Sequence, residues 1–294
     1  MLKGTYTALI TPYKENNRIN YNKFIELIEE QINNNVDGIV LLGTTGEASL
    51  LTNKEKTDLI DLAISIINKR VKLIVGISLI DSYKASLYAS KISKKKIDYL
   101  LVLSPYYLKT NNDGLIKHFT LIANKSKVPI IIYHVPSRTG QYIPKEVIKE
   151  LAKHKNIIGI KEASGDLSYI ESIKEYLNEN FILLSGNDDL IIETIKKGGS
   201  GVISVLSNAF PKVTSKIVNL CLENNFKDAK EIHDKYLYLI KLLFIEPNPI
   251  PIKEAMNYLG YEVGNYRLPL TNMTNLNKQY LIHEIEDLLK WIYF

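Results

Sequence analysis

Eight short apolar runs alternate with segments of helical spacing along this 294-residue chain, and nothing else in the sequence limits the fold so strongly. The runs span residues 5–11, 38–42, 72–76, 99–103, 128–133, 157–161, 181–185 and 201–204. Between them, 21–34 places Phe24, Ile25, Ile28 and Ile32 on one helical face, and 53–68, 82–95 and 115–124 are patterned likewise. Further helices are predicted from Pro144, over 167–177, up to Lys197, and over 211–224. Strands apolar throughout, each followed by a helix, describe a parallel sheet covered by helices. Eight such units predict a parallel (β/α)8 barrel, a TIM barrel, over residues 1–224. An open doubly wound sheet would want a glycine-rich loop after its first strand, and Thr11-Pro12-Tyr13-Lys14 is not one. Residues 225–294 carry helical patterning at 229–244, 252–259 and 277–293. They are expected to form a C-terminal helical extension packed on the barrel.

Composition removes several function classes. The net charge of +5 comes from dispersed lysines, whereas a nucleic-acid protein concentrates basic and aromatic groups on one face. No apolar run has the length of a membrane-spanning helix. The start, Met1-Leu2-Lys3-Gly4-Thr5-Tyr6, lacks the apolar region of a signal peptide and enters a strand at once. The single cysteine, Cys221, sits in an apolar helical context and is expected to be a small core residue. Together these features fit a reducing cytoplasm. The five histidines include no pair at i,i+4 ligand spacing, so neither a metal nor another cofactor is expected. Gly43-Thr44-Thr45-Gly46 is not followed by the Gly-Lys-Ser/Thr of a phosphate-binding loop.

In such a barrel the strand C-termini converge on the active site. The sixth run, Ile157-Ile158-Gly159-Ile160-Lys161, delivers an ammonium there among apolar neighbours. Burial disfavours the charged form of an amine, and a neutral amine attacks ketones to form Schiff bases. The other strand ends supply Thr44 and Thr45, Tyr106 and Tyr107, Tyr133 with Arg138 in its loop, Gly186 with Asn187, and Ile203. Each alone has a bland account as turn or packing. As a set they offer a nucleophile, proton-carrying hydroxyls and a guanidinium for a carboxylate, which is what a keto-acid aldolase or lyase needs.

Several stretches, in the same order, resemble the dihydrodipicolinate synthase family of pyruvate-dependent class I aldolases. They are Gly43–Glu47, Pro105–Tyr107, Tyr133–Gly140, Gly159–Asp166, Leu184–Asp188, Gly201–Ser204 and Glu246–Ala255. The resemblance covers essentially the whole chain. It implies condensation of pyruvate with L-aspartate 4-semialdehyde on the route to diaminopimelate and lysine. Lys161 would form the imine, Tyr133 would shuttle protons while hydrogen-bonded to Thr44, and Tyr107 would complete the relay from a neighbouring subunit. Arg138 would hold the semialdehyde carboxylate. Thr45 and the backbone around Ile203 would hold pyruvate, with Gly186 lining the site. The assembly implied is a homo-oligomer, a dimer of dimers, with no nucleic-acid or membrane partner. One minor departure is His134, where the family commonly has Asn.

Two other functions fit a chain with this lysine. A sister enzyme, such as N-acetylneuraminate lyase or a sugar-acid aldolase, would share Lys161 and Tyr133, but Ser137-Arg138-Thr139-Gly140 favours the short charged aldehyde. A non-catalytic barrel is expected to have lost a relay member, and Thr44, Tyr107, Tyr133 and Lys161 are all present. A larger departure concerns regulation. Feedback-inhibited members bind free lysine with His at the position of Lys56, an amide or carboxylate at that of Ile80 and Glu at that of Lys84. Lys84 would face the ligand's ammonium with a like charge, a repulsion of about 4 kcal/mol at 4 Å and an effective dielectric near 20. Tyr106 alone does not compensate, so insensitivity to lysine is expected. A slip in register around Ser78–Lys84 would instead bring Asp81 forward as the acceptor.

Overall fold

The computed structural model describes residues 2–292. Eight parallel strands close into a barrel in sequence order. They are β1 Gly4–Ala8, β2 Gly38–Leu41, β3 Lys72–Ile77, β4 Tyr99–Leu103, β5 Ile130–His134, β6 Ile157–Glu162, β7 Ile182–Ser185 and β8 Gly201–Ser204. The helices outside are α1 Tyr21–Asn33, α2 Asn53–Ile67, α3 Ser82–Ile92, α4 Asn112–Lys125, α5 Pro136–Thr139, α6 Lys145–Leu151, α7 Leu167–Ile173, α8 Ile191–Lys196 and α9 Pro211–Leu222. Then follow α10 Phe226–Leu242, α11 Ile250–Tyr258 and α12 Asn275–Ile292. No described helix is long and apolar enough to cross a membrane. Met1, Tyr293 and Phe294, which the sequence reading places at the ends of the barrel and of the extension, lie outside the described residues.

Alternation along each strand sorts side chains into two layers, as a two-residue strand period requires. Tyr6, Val40, Ile74, Leu101, Ile131 and Ile203 form one cluster on the barrel axis. Ile39, Val75, Val102, Ile132, Ile160 and Leu183 join the larger cluster beneath the helices. Closure pairs Tyr6 with Ile203 and Thr7 with Ser204. Cys221 is buried under α8 and α10, and burial pushes its thiol up to about 11, as suits a core residue.

Most predicted elements appear within a few residues of their expected bounds, and the differences have local causes. The first run was expected to reach Thr11, but β1 stops at Ala8. There Asn208 takes over the backbone: its Nδ2 donates to Ala8 O at 2.8 Å, and its Oδ1 accepts Ile10 N–H at 3.0 Å. β5 begins at Ile130 rather than Val128, because Ser126 Oγ and Asn156 Nδ2 both donate to Val128 O. The segment after β5, read as loop, contains the short helix α5, with Pro136 at its start, where a missing N–H costs nothing. The helix predicted from Pro144 uses that proline as its N-cap residue and begins at Lys145.

The extension starts at α10, whose N-cap is Asn225. α10 packs on α9, α12 on α10 and α11, and α11 reaches the turn at Leu206–Asn208 just beyond β8. That last contact puts part of the extension at the C-terminal face of the barrel.

Candidate functional site

Lys161 reaches the barrel axis through an irregularity in β6. The β5–β6 ladder pairs Ile130 with Ile157, then Ile131 with Gly159, so Ile158 is an extra residue. Bulges of this kind re-aim side chains and are common beside active sites. Beyond it Tyr133 stands opposite Lys161, and Lys161 opposite Leu184 on β7. Tyr133 and Leu184 both belong to the axial cluster, so Lys161 shares their face. It is 6 % exposed, with its Nζ 4.5 Å from the centroid of the Tyr133 ring.

Two lysines are buried among the described residues, and they differ in company. Lys253 is ion-paired with Glu47 at 3.0 Å, whereas Lys161 makes no ion pair there. The space beside Lys161 depends on Gly186. A Cβ at that residue would lie 2.9 Å from Lys161 Cε and 2.8 Å from Glu162 O, too close for either. Beyond β7, Asp188 accepts the N–H groups of Val205 and Leu206 with Oδ2, both at 2.9 Å, fixing the backbone just after Ile203. Burial pushes the Asp188 carboxyl up, partly offset by Ser204, those two N–H groups and Lys161.

Thr44 and Thr45 occupy the turn after β2, with Thr44 half-buried and Thr45 buried. Asn248 Nδ2 donates to Thr45 Oγ1 at 2.9 Å, and Asn248 O accepts from Arg138 Nη2 at 3.3 Å. One residue of the extension therefore links two expected substrate-binding side chains. No hydrogen bond joins Tyr133 to Thr44 in this structure. Tyr107 is 89 % exposed and stands away from the axis, with its backbone in the left-handed region at φ 65°. Such a φ is uncommon for a bulky residue and points to a functional constraint.

The structure thus gathers Lys161, Tyr133, Gly186 and Ile203 around the axis. Thr45 and Arg138 are tied together through Asn248, Thr44 adjoins Thr45, and Tyr107 is left at the surface. Sequence reasoning passed over Asn248, which lies 203 residues from Thr45 and was visible only as part of a matching stretch.

His134 and Glu162 follow Tyr133 and Lys161 and pair with each other across the ladder, so they face outward. The His134 ring packs on Tyr169 at 4.7 Å and Tyr142 at 5.3 Å, and its nitrogens have no partner. Burial pushes His134 down to about 4, which keeps the ring neutral as a packing group. Burial likewise pushes the Glu162 carboxyl up to about 7, although the Ser164 N–H donates to its Oε1 at 2.7 Å.

A model of the dihydrodipicolinate synthetase family matches residues 1–288. The 4-hydroxy-tetrahydrodipicolinate synthase of Acetivibrio thermocellus is 42% identical over 287 residues, which cover 97% of this chain and 96% of that one. The crystal structure of dihydrodipicolinate synthase from Aquifex aeolicus superposes with a TM-score of 0.94 at 36% identity, covering 97% of this chain and 98% of that one. The enzyme from Cyanidioschyzon merolae, solved with lysine bound, gives 0.93 at 32% identity, covering 97% of each chain.

Glu162 yields a pH prediction. Its proton is held more tightly in the folded state than in the unfolded chain, whose carboxyl titrates near 4.5. Stability therefore falls as pH rises from about 4.5 through about 7. At about 1.4 kcal/mol per pH unit the upper bound is roughly 3 kcal/mol. In urea unfolding at pH 5 and pH 8, the wild type should lose stability relative to Glu162→Gln by up to that amount. A difference that does not change with pH would show an ordinary carboxylate.

Proposed function

The chain belongs to the dihydrodipicolinate synthetase family, and from that premise we propose that it condenses pyruvate with L-aspartate 4-semialdehyde in the cytoplasm, through a Schiff base on Lys161. The observation that carries this reading is a buried lysine on the barrel axis, against Tyr133 and without an ion-pair partner.

In this mechanism the Lys161 amine adds to the ketone carbon of pyruvate, and loss of water gives the imine. Removal of a methyl proton gives an enamine, whose carbon attacks the aldehyde; the resulting alkoxide takes up a proton. The amino group of the second substrate then adds to the imine carbon and expels Lys161, closing the ring. One water is released overall. Tyr133, in contact with Lys161, carries the protons, with Thr44 and Tyr107 as the rest of the relay. Thr45 and the backbone at Ile203 hold the pyruvate carboxylate, and Gly186 leaves the space the adduct needs. Arg138 is exposed and spends one long hydrogen bond on Asn248, so its planar fork is available for the second carboxylate.

We further assign Tyr107 to the site of a neighbouring copy in a dimer of dimers. A tyrosine so exposed, in a left-handed backbone and beside the exposed Leu108, supports that placement. Free lysine is not an effector of this enzyme. Lys56 lines a cleft with Ala48, Ser49 and Leu79, where burial lowers its pKa. Lys84 is exposed on α3. Asp81, the alternative acceptor, is engaged as the N-cap of α3, accepting the N–H groups of Tyr83 and Lys84.

The central test is reductive trapping. Pyruvate with borohydride should add one reduced pyruvyl group per chain, mapped to Lys161 and absent from Lys161→Ala. Labelling elsewhere would overturn the assignment.

Arg138→Ala should leave trapping nearly intact but lower the rate constant for condensation by roughly two to three orders of magnitude. Unchanged turnover with the semialdehyde would point to a sugar-acid aldolase instead.

In a lysine titration at subsaturating pyruvate, the condensation rate should hold up to millimolar effector. Half-inhibition below about 1 mM, a binding free energy near 4 kcal/mol, would contradict the charge argument.

A further inference from the structure

The turn that carries Thr44 and Thr45 has left-handed backbone at both ends, at Leu42 with φ 57° and at Glu47 with φ 54°. Neither residue favours that region, and such conformations persist where the surroundings enforce them. At Glu47 the enforcement is visible. Its carboxylate is fully enclosed and bonded to Lys253 on α11 at 3.0 Å, with neither side chain exposed. The Lys253 ammonium has three donors, and three acceptors meet them: Glu47 Oε1, Thr11 O at 3.3 Å and Asn265 O at 2.6 Å. The same ammonium lies over the rings of Tyr13 at 4.4 Å and Tyr266 at 5.1 Å. Thr11 also holds the turn directly, donating from Oγ1 to Gly46 O at 2.7 Å.

A buried ion pair adds little net stability over apolar residues of the same shape, because desolvation opposes it. Here burial raises the pKa of Glu47 and lowers that of Lys253; their contact offsets the cost for both, and Arg267 eases it further for Glu47 alone. What such a pair supplies is direction: it fixes where two segments meet. We propose that Glu47 and Lys253 are positioning residues, a strut from the C-terminal extension that sets the Thr44–Thr45 turn at the height of the pyruvate carboxylate. Asn248, five residues before Lys253, completes the strut. Since its Nδ2 donates to Thr45 Oγ1, the threonine's own hydroxyl proton is left to donate to a carboxylate.

The inference rests on pyruvate being the substrate, and the experiment separates the two. Wild type, Glu47→Asp and the double variant E47Q/K253M are compared in steady-state kinetics and borohydride trapping. The double variant removes both charges at nearly constant volume, so no buried charge is left unpaired. The Asp variant keeps both charges but shortens the strut by one methylene, and it decides the matter if the double variant does not fold. KM for pyruvate should rise roughly tenfold or more, with kcat within about threefold and KM for the semialdehyde unchanged. Saturating pyruvate should still label Lys161 in the variants. Wild-type KM for pyruvate in the folded variants, or a loss confined to thermal stability, overturns the positioning role alone. A wild type that pyruvate does not label overturns the substrate assignment, and with it this role.

Discussion

The site depends on the parity of β6. Along a strand, consecutive side chains point to opposite faces, so a shift of one residue would exchange Lys161 with a neighbour. Had the β5–β6 ladder continued without Ile158 as an extra residue, Tyr133 would stand opposite Ile160, and Lys161 opposite His134. The bulge instead pairs the amine with the phenol on the axis and sends Glu162 and His134 outward together. Those two groups then meet a different environment, among Tyr142 and Tyr169, where the histidine is neutral and the carboxyl resists ionisation. One inserted residue thereby sorts four adjacent polar groups into two chemically distinct layers.

Much of this was legible in the sequence because the barrel repeats a simple rule. Ile-Gly-Ile-Lys reads as a buried strand with a charged tip, and eight such runs with helices between them leave few architectures. What was not legible came from contacts that no local pattern encodes. The bulge depends on how two strands separated by α5 and α6 align. Asn208 ends β1 from 198 residues away, and Asn248 reaches Thr45 across 203. The loop after β5 reads as a turn, and its coiling into α5 is what carries Arg138 toward Asn248.

The C-terminal extension is where fold and site meet. By composition it reads as an appended set of helices. In the structure its second helix, α11, begins at the mouth of the barrel, and the residues around that start touch the β1, β2 and β5 loops. Asn248 bridges Thr45 and Arg138, and Lys253 touches both Thr11 and Glu47. Loops at the C-terminal face of a barrel carry its chemistry but are its least constrained parts. A helix that clamps several of them at once limits that freedom.

The two buried lysines show how one chain uses the same side chain in opposite ways. Burying an ammonium is costly unless something compensates it. Around Lys253 every donor is matched, two rings face the charge and a carboxylate neutralises it, so the group is fixed and chemically inert. Lys161 is almost as deeply buried, yet it has one aromatic face and no carboxylate within ion-pair distance, Asp188 acting on it only from farther off. The difference follows from what lies opposite each of them: Glu47 in one case, and a glycine, a leucine and Tyr133 in the other. Where no ion pair ties the amine down, it keeps the freedom to turn into the space that Gly186 leaves, and on the proposed reading that is where it meets the ketone. In the proposed mechanism Lys161 is available because no carboxylate pairs with it directly: Gly186 and Leu184 carry none, and Asp188, whose charge does act on it, spends Oδ2 on the N–H groups of Val205 and Leu206.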